Sequence, residues 1–156
     1  MPLLLVRHGH AGRRSAFKGD DRLRPLSKRG AAQAVVLVPI LSRYRPQRIL
    51  SSPYLRCRET VEPTAEALSL PVETLDELAE GNGAAAERLI RRMAGQSAVL
   101  CTHGDVATAV LEWLVAEGGA RPDQERLQKG DAWVIDSAGS SPAIVEHIRL
   151  SDRTRR

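Results

Sequence analysis

Aromatic residues are scarce: two Trp, two Tyr and one Phe among 156 residues. That leaves few platforms on which unpaired bases could stack, so no nucleic acid polymer is expected as a partner. No apolar run approaches the roughly 20 residues that a membrane-spanning helix needs, so no membrane partner is expected. The N-terminus lacks a basic segment followed by a long apolar region, so no secretory leader is read and a cytoplasmic location is expected. The only two cysteines, Cys57 and Cys101, form no CxxC and no metal-ligand cluster. They read as buried reduced thiols, with Arg56 placed to lower the pKa of Cys57. There is no internal repeat, low-complexity linker or composition break, so one domain is expected over residues 1–150, followed by a basic tail at 151–156. The excess of positive charge is small, 23 Lys and Arg against 19 Asp and Glu, and Arg153, Arg155 and Arg156 in the tail carry much of it. It favours an anionic ligand only weakly.

What is present is a regular alternation of short apolar runs and helical segments, at a globular 42% hydrophobic and 27% charged residues. Strands are predicted at 3–6, 48–51, 71–75, 98–102, 132–136 and 143–149, the last two joined by a turn at 139–142. Helices are predicted between them. Ser27 reads as an N-cap, opening a helix whose body, 31–44, is apolar nearly all round and should be well buried, with Pro39 kinking or shortening it. Ser52 as N-cap and Pro53 at the first helical position open a second helix that runs past Arg56 toward Leu68, with a bend at Pro63. A third helix is predicted at 84–94. Asp105 is predicted to cap a fourth at 106–117. Strand–helix alternation of this kind implies an α/β fold: a three-layer α/β/α sandwich with a mainly parallel sheet and an antiparallel edge.

Three of these strands end in chemically capable residues: Arg7-His8-Gly9, Ser51-Ser52-Pro53 with Arg56 beyond, and Thr102-His103-Gly104. In a parallel sheet these ends lie on one side, where ligands of open α/β folds bind. Arg56 falls in the first turn of its helix, and helical side chains lean toward the N-terminus, so it points to the same mouth. Two guanidinium forks, two imidazoles and a helix N-terminus make a cage for a phosphoryl group.

These elements resemble those of the histidine phosphatase, or phosphoglycerate mutase-like, superfamily, and the likeness covers most of the chain. Leu5-Val6-Arg7-His8-Gly9 is similar to its RHG signature, and Leu26-Ser27-Lys28-Arg29-Gly30-Ala31-Ala32-Gln33-Ala34 to its L-[ST]-x-x-G-x-x-Q-A helix start. Ser51-Ser52-Pro53-Tyr54-Leu55-Arg56-Cys57-Arg58-Glu59-Thr60 is similar to its S-S-x-x-x-R-x-x-x-T element, and Leu100-Cys101-Thr102-His103-Gly104 to its second histidine motif. Gly19-Asp20-Asp21-Arg22-Leu23-Arg24-Pro25-Leu26-Ser27 resembles the compact bacterial branch, which includes phosphohistidine phosphatases and domains fused to Nudix hydrolases. No Nudix signature occurs in this chain.

The resemblance implies a phosphoglycerate mutase-like fold and a phosphomonoester hydrolase working through a phosphohistidine intermediate, without metal or other cofactor. His8 would be the nucleophile. Arg7, Arg56 and His103 would hold the phosphoryl oxygens, with Gly9 also at the substrate. Leu75-Asp76-Glu77-Leu78-Ala79-Glu80-Gly81 resembles the family's L-x-E-x-x-x-G stretch and makes Glu77 the expected general acid, with Asp105 and Glu80 as alternatives. Arg14 stands where many relatives carry Asn and, with Arg13 and Lys18, would meet a second phosphate or an acidic surface. His10 and His147 are read as non-catalytic. Small phosphorylated metabolites, nucleotides first, are the expected substrates, and a phosphohistidine protein or a phosphate-binding pseudoenzyme are the other readings.

Overall fold

The computed structural model describes residues 1–137 and 141–150. Strand β1 (Leu3–Arg7) is followed by α1 (Lys28–Ser42), β2 (Arg48–Ser51), α2 (Leu55–Ala67), β3 (Val72–Thr74), α3 (Gly83–Arg92), β4 (Ala98–Thr102), α4 (Gly104–Ala116), β5 (Ala132–Asp136) and β6 (Ala143–Ile148). Short 3₁₀ turns lie at Arg14–Ala16, Asp21–Leu23 and Asp76–Leu78. The sheet order is β3-β2-β4-β1-β5-β6, with β1 to β4 parallel and β5 antiparallel to both of its neighbours. This is the expected α/β sandwich with an antiparallel edge.

Successive strand side chains point to opposite faces. Leu3 and Leu5 pack into one core with Ile90 of α3 and Val110 and Leu114 of α4. Leu4 and Val6 pack into the other, with Leu37 and Leu41 of α1 and Val61 of α2. Covering both faces is why the β1 run is continuously apolar rather than alternating. The helices that follow the adjacent strands β1 and β4 therefore leave on opposite faces, and the crevice between them opens at the carboxyl ends of those strands. Register places Arg7 opposite Thr102, and the His8 N–H donates to Thr102 O (3.0 Å), so His8 and His103 emerge as neighbours.

Ser27 caps α1 as predicted: its Oγ accepts from the Gly30 N–H at 3.1 Å. The helix is one-sided, however. Gln33, Ala34, Leu37, Ile40 and Leu41 face the sheet, while Val35 is 62% exposed. A helix on the outer layer of a sandwich has only one face to bury, whatever its sequence supplies. Pro39 and Pro63 both sit within continuous helices, because the flanking residues buried on the sheet hold the turns despite the lost donors. Neither Ser52 nor Asp105 is an N-cap. Helix α2 starts at Leu55 behind Tyr54, since the Ser52 hydroxyl is engaged by His103, and α4 starts behind His103, with Asp105 in its first turn. Residues 139 and 140 of the predicted turn and the basic tail lie outside the described residues. No helix among the described residues is long and apolar enough to cross a membrane.

Candidate active site

A cleft of about 740 Å³ opens at the ends of β1 and β4, and Arg7, His8, Arg56 and His103 all line it. His8 is 6% exposed. Its Nδ1 lies 2.7 Å from Gly9 O. A carbonyl can only accept, so Nδ1 carries the hydrogen and Nε2 keeps its lone pair. Burial, opposed by the hydrogen bond to Gly9 O and aided by the charges of His103, Arg56 and Arg7, lowers the His8 pKa to about 3. At neutral pH it is an uncharged imidazole with Nε2 free.

His103 is set differently. It is 2% exposed, and its Nε2 shares a hydrogen bond with Ser52 Oγ (2.8 Å) and sits 3.6 Å from Cys57 Sγ. Its Nδ1 is buried with no partner. The two rings meet edge to face, centroids 5.5 Å apart.

The two arginines are held by their tips. Arg7 Nη1 donates to Leu127 O (2.9 Å). Arg56, 1% exposed, donates from Nη1 to Asp21 O (2.9 Å) and from Nη2 to the Asp21 carboxylate (3.2 Å). Both Nε atoms are buried and unpartnered. Gly104 is required for the Arg7 arrangement, since a Cβ there would stand 2.8 Å from Arg7 Cζ. A second tight approach locks the loop after β1: a Cβ on Gly30 would stand 2.0 Å from His10 O.

The remaining predicted residues divide. Glu77 does not line the cleft; it faces away and accepts from Arg92 Nη2 (2.8 Å). Glu80 does line it, accepting from Arg14 Nη2 (2.6 Å) with Arg56 Nη2 at 3.9 Å. Asp105 lines it too and accepts from the Gly81 N–H (2.8 Å). The reason lies in the 3₁₀ turn Asp76–Leu78. Leu78 is buried and its carbonyl accepts from Thr102 Oγ1 (2.6 Å), which turns Glu77 outward and brings Glu80 in. Gly9 spends its N–H on Thr60 Oγ1 (2.9 Å), seating the loop after β1 rather than offering a donor to the cleft. Arg14 reaches the cleft but is paired, with Glu80 and at 3.4 Å with Asp21. His10 is tied to Ser27 and Gln33 at the start of α1. His147 lies beside Asp131, Gln124 and Trp133, away from the cleft. Both cysteines are buried free thiols; burial pushes both up, and hydrogen bonds to Cys101 and His103 reverse this for Cys57.

Sequence reasoning missed Asp21, which braces Arg14, Arg24 and Arg56, and missed Arg126 and Lys129, which line the cleft from the loop before β5. All three sit in aperiodic polar segments, and no residue spacing marks them. No group of three or more His, Cys, Asp or Glu among the described residues is arranged to hold a metal ion.

Comparison with known proteins identifies relatives and a family. The chain is 40% identical over 157 residues to an 8-oxo-(d)GTP phosphatase of Mycolicibacterium smegmatis, covering 96% of this chain and 48% of that protein. It is 33% identical over 82 residues to the phosphohistidine phosphatase SixA of Escherichia coli, covering 50% and 49%. The chain thus spans about half the length of the curated relatives it matches. The fold superimposes on a SixA protein histidine phosphatase solved with tungstate (TM-score 0.76, 23% identity, 98% and 99% of the two chains). It also superimposes on a mycobacterial glucosyl-3-phosphoglycerate phosphatase (TM-score 0.71, 17% identity, 96% and 98%). The model of the histidine phosphatase superfamily (branch 1) matches residues 3–85, and the chain belongs to that superfamily.

Proposed function

We propose that this chain is a phosphomonoester hydrolase in which His8 is the nucleophile. The observation that carries the reading is the set of buried, unpartnered nitrogens, Arg7 Nε, Arg56 Nε and His103 Nδ1, on residues that line one cleft with a neutral imidazole whose Nε2 is free. Unpaired buried polar atoms are costly, and in a cleft they point to a missing polar partner. A phosphoryl group meets all three demands. Its oxygens are held by Arg7, Arg56 and His103, which offset the charge that builds in transfer.

In the first step His8 Nε2 forms a bond to phosphorus while the bond to the leaving oxygen breaks. The Nδ1–H bond to Gly9 O supports the positive charge gained by the ring. Glu80 gives the leaving oxygen its proton. Of Glu77 and Glu80, Glu80 is the one that lines the cleft, beside Arg14 and Arg56. In the second step water attacks phosphorus, Glu80 takes its proton, the N–P bond breaks and neutral His8 returns.

Nucleotides are the favoured substrates, on the 40% identity to the mycobacterial protein. A phosphohistidine protein is the second reading, on the identity to SixA. A panel of nucleotides, sugar phosphates and a phosphohistidine protein ranks them. With p-nitrophenyl phosphate, His8→Ala is expected to lose on the order of 10³-fold or more in kcat/KM, since the covalent route disappears. Rapid quenching with a labelled substrate should trap an acid-labile, base-stable phosphoenzyme in the wild type and none in the variant. Equal inactivity of both proteins across the panel rejects the reading. Glu80→Gln should slow poor leaving groups by about 10²-fold more than good ones, and Glu77→Gln should not discriminate. The reverse pattern would move the acid to Glu77.

A further inference from the structure

Six cations line the cleft, and four of them are already committed. Arg14 pairs with Glu80 and Asp21, Arg24 with Asp21, Arg56 with Asp21, and Arg7 with Leu127 O. Lys129 and Arg126 are the exceptions: among the described residues neither side chain has a hydrogen bond or ion pair. Lys129 is nevertheless firmly placed. Its carbonyl accepts from Gln33 Nε2 (3.3 Å), and the next residue, Gly130, donates its N–H to Arg7 O (3.0 Å) and His8 O (3.2 Å). The backbone that carries Lys129 is thereby fastened to the same strand end that carries the nucleophile. Burial first, and then the repulsive field of Arg7, Arg24, Arg29 and Arg56, depresses the proton affinity of its ammonium. A cation whose backbone is fixed among like charges, with no counter-ion, favours the approach of an anion.

We infer that Lys129 and Arg126 form a second anion subsite beside the phosphate cage, selecting phosphomonoesters whose leaving group carries a further phosphate or carboxylate. The inference rests on the hydrolase reading above. It also relocates the second-anion role expected for Arg14, whose charge Glu80 and Asp21 already meet.

The test compares phenyl phosphate, 3-carboxyphenyl phosphate and benzene-1,3-diyl bisphosphate, which share one leaving-group skeleton. The wild type should prefer the two compounds with a second anion by about tenfold or more in kcat/KM. Rising salt should erode that preference. Lys129→Gln with Arg126→Gln should bring the ratios to within about twofold of unity, the loss of an ion contact worth no more than that factor of ten. Lys129→Arg alone should keep most of the preference. The carboxylate and bisphosphate arms tell which anion is favoured. Neither side chain has a partner to orphan, so the variants should fold. A wild type without preference, or a preference that survives the double variant, overturns the subsite and leaves the hydrolase reading standing. If no compound is hydrolysed, the hydrolase reading fails, and calorimetry with pyrophosphate against phosphate decides the subsite alone: tighter pyrophosphate binding that the double variant abolishes supports it, and equal binding rejects it.

Discussion

Two strands of this sheet end in the same dipeptide, His-Gly, at paired positions, and the two histidines are built for different work. At the end of β1, His8 gives its Nδ1 hydrogen to Gly9 O and keeps Nε2 free. At the end of β4, His103 commits Nε2 to Ser52 and leaves Nδ1 buried and unpartnered. The first presents a lone pair, the second a buried nitrogen without a partner. Identical local sequence therefore leaves opposite ring nitrogens open according to which neighbour takes the other one, and the proposed mechanism uses the first as nucleophile and the second as clamp.

The sharpest way to break this comparison is to remove each ring in turn. The loss for His8→Ala given above should exceed that for His103→Ala, which should cost on the order of 10²–10³-fold in kcat while still accumulating phosphoenzyme on His8. Equal losses, or no phosphoenzyme in His103→Ala, would show that the two rings share the nucleophilic role. A smaller effect should follow from Ser52→Ala. This change leaves both histidines in place but frees the His103 ring to turn, so about a tenfold loss is expected, carried by kcat and not by KM. An unchanged kcat would mean that Ser52 does not orient the clamp.

A separate effect is on stability and not on rate. His8 titrates at about 3 in the fold and near 6.5 when unfolded. Between those values the unfolded chain takes up a proton that the folded chain refuses, so stability falls as pH drops from about 6.5 toward about 3, by at most about 1.4 kcal/mol per unit. Above about 6.5 the contribution is flat. Denaturant unfolding across this range should show a shallower acid slope for His8→Ala than for the wild type. Parallel profiles would place the acid sensitivity elsewhere.

Much of the site was legible because it follows from short-range patterns. Apolar runs ending in Arg-His-Gly and Thr-His-Gly mark buried strands with reactive tips, and Ser27 marks a helix start that the structure keeps. Which of two glutamates lines the cleft was not legible in the same way. Glu77 and Glu80 are three residues apart in one segment, and only the burial of Leu78 against β4 decides which of them faces the cleft. Helix starts at Ser52 and Asp105 were misjudged for a related reason. Both residues have the chemistry of caps, but Ser52 Oγ bonds His103 and Asp105 bonds the Gly81 amide, partners distant in sequence.

The sequence by itself determined the alternation of strands and helices, the family, and the four residues Arg7, His8, Arg56 and His103, because each depends on side-chain type and local spacing. Only the tertiary structure decided which nitrogen of His8 is free, which glutamate enters the cleft and which cations are left uncommitted. The first turns on the backbone geometry that sets Gly9 O against His8 Nδ1, the others largely on partners up to 120 residues apart and on burial, which sets what charge each group can carry.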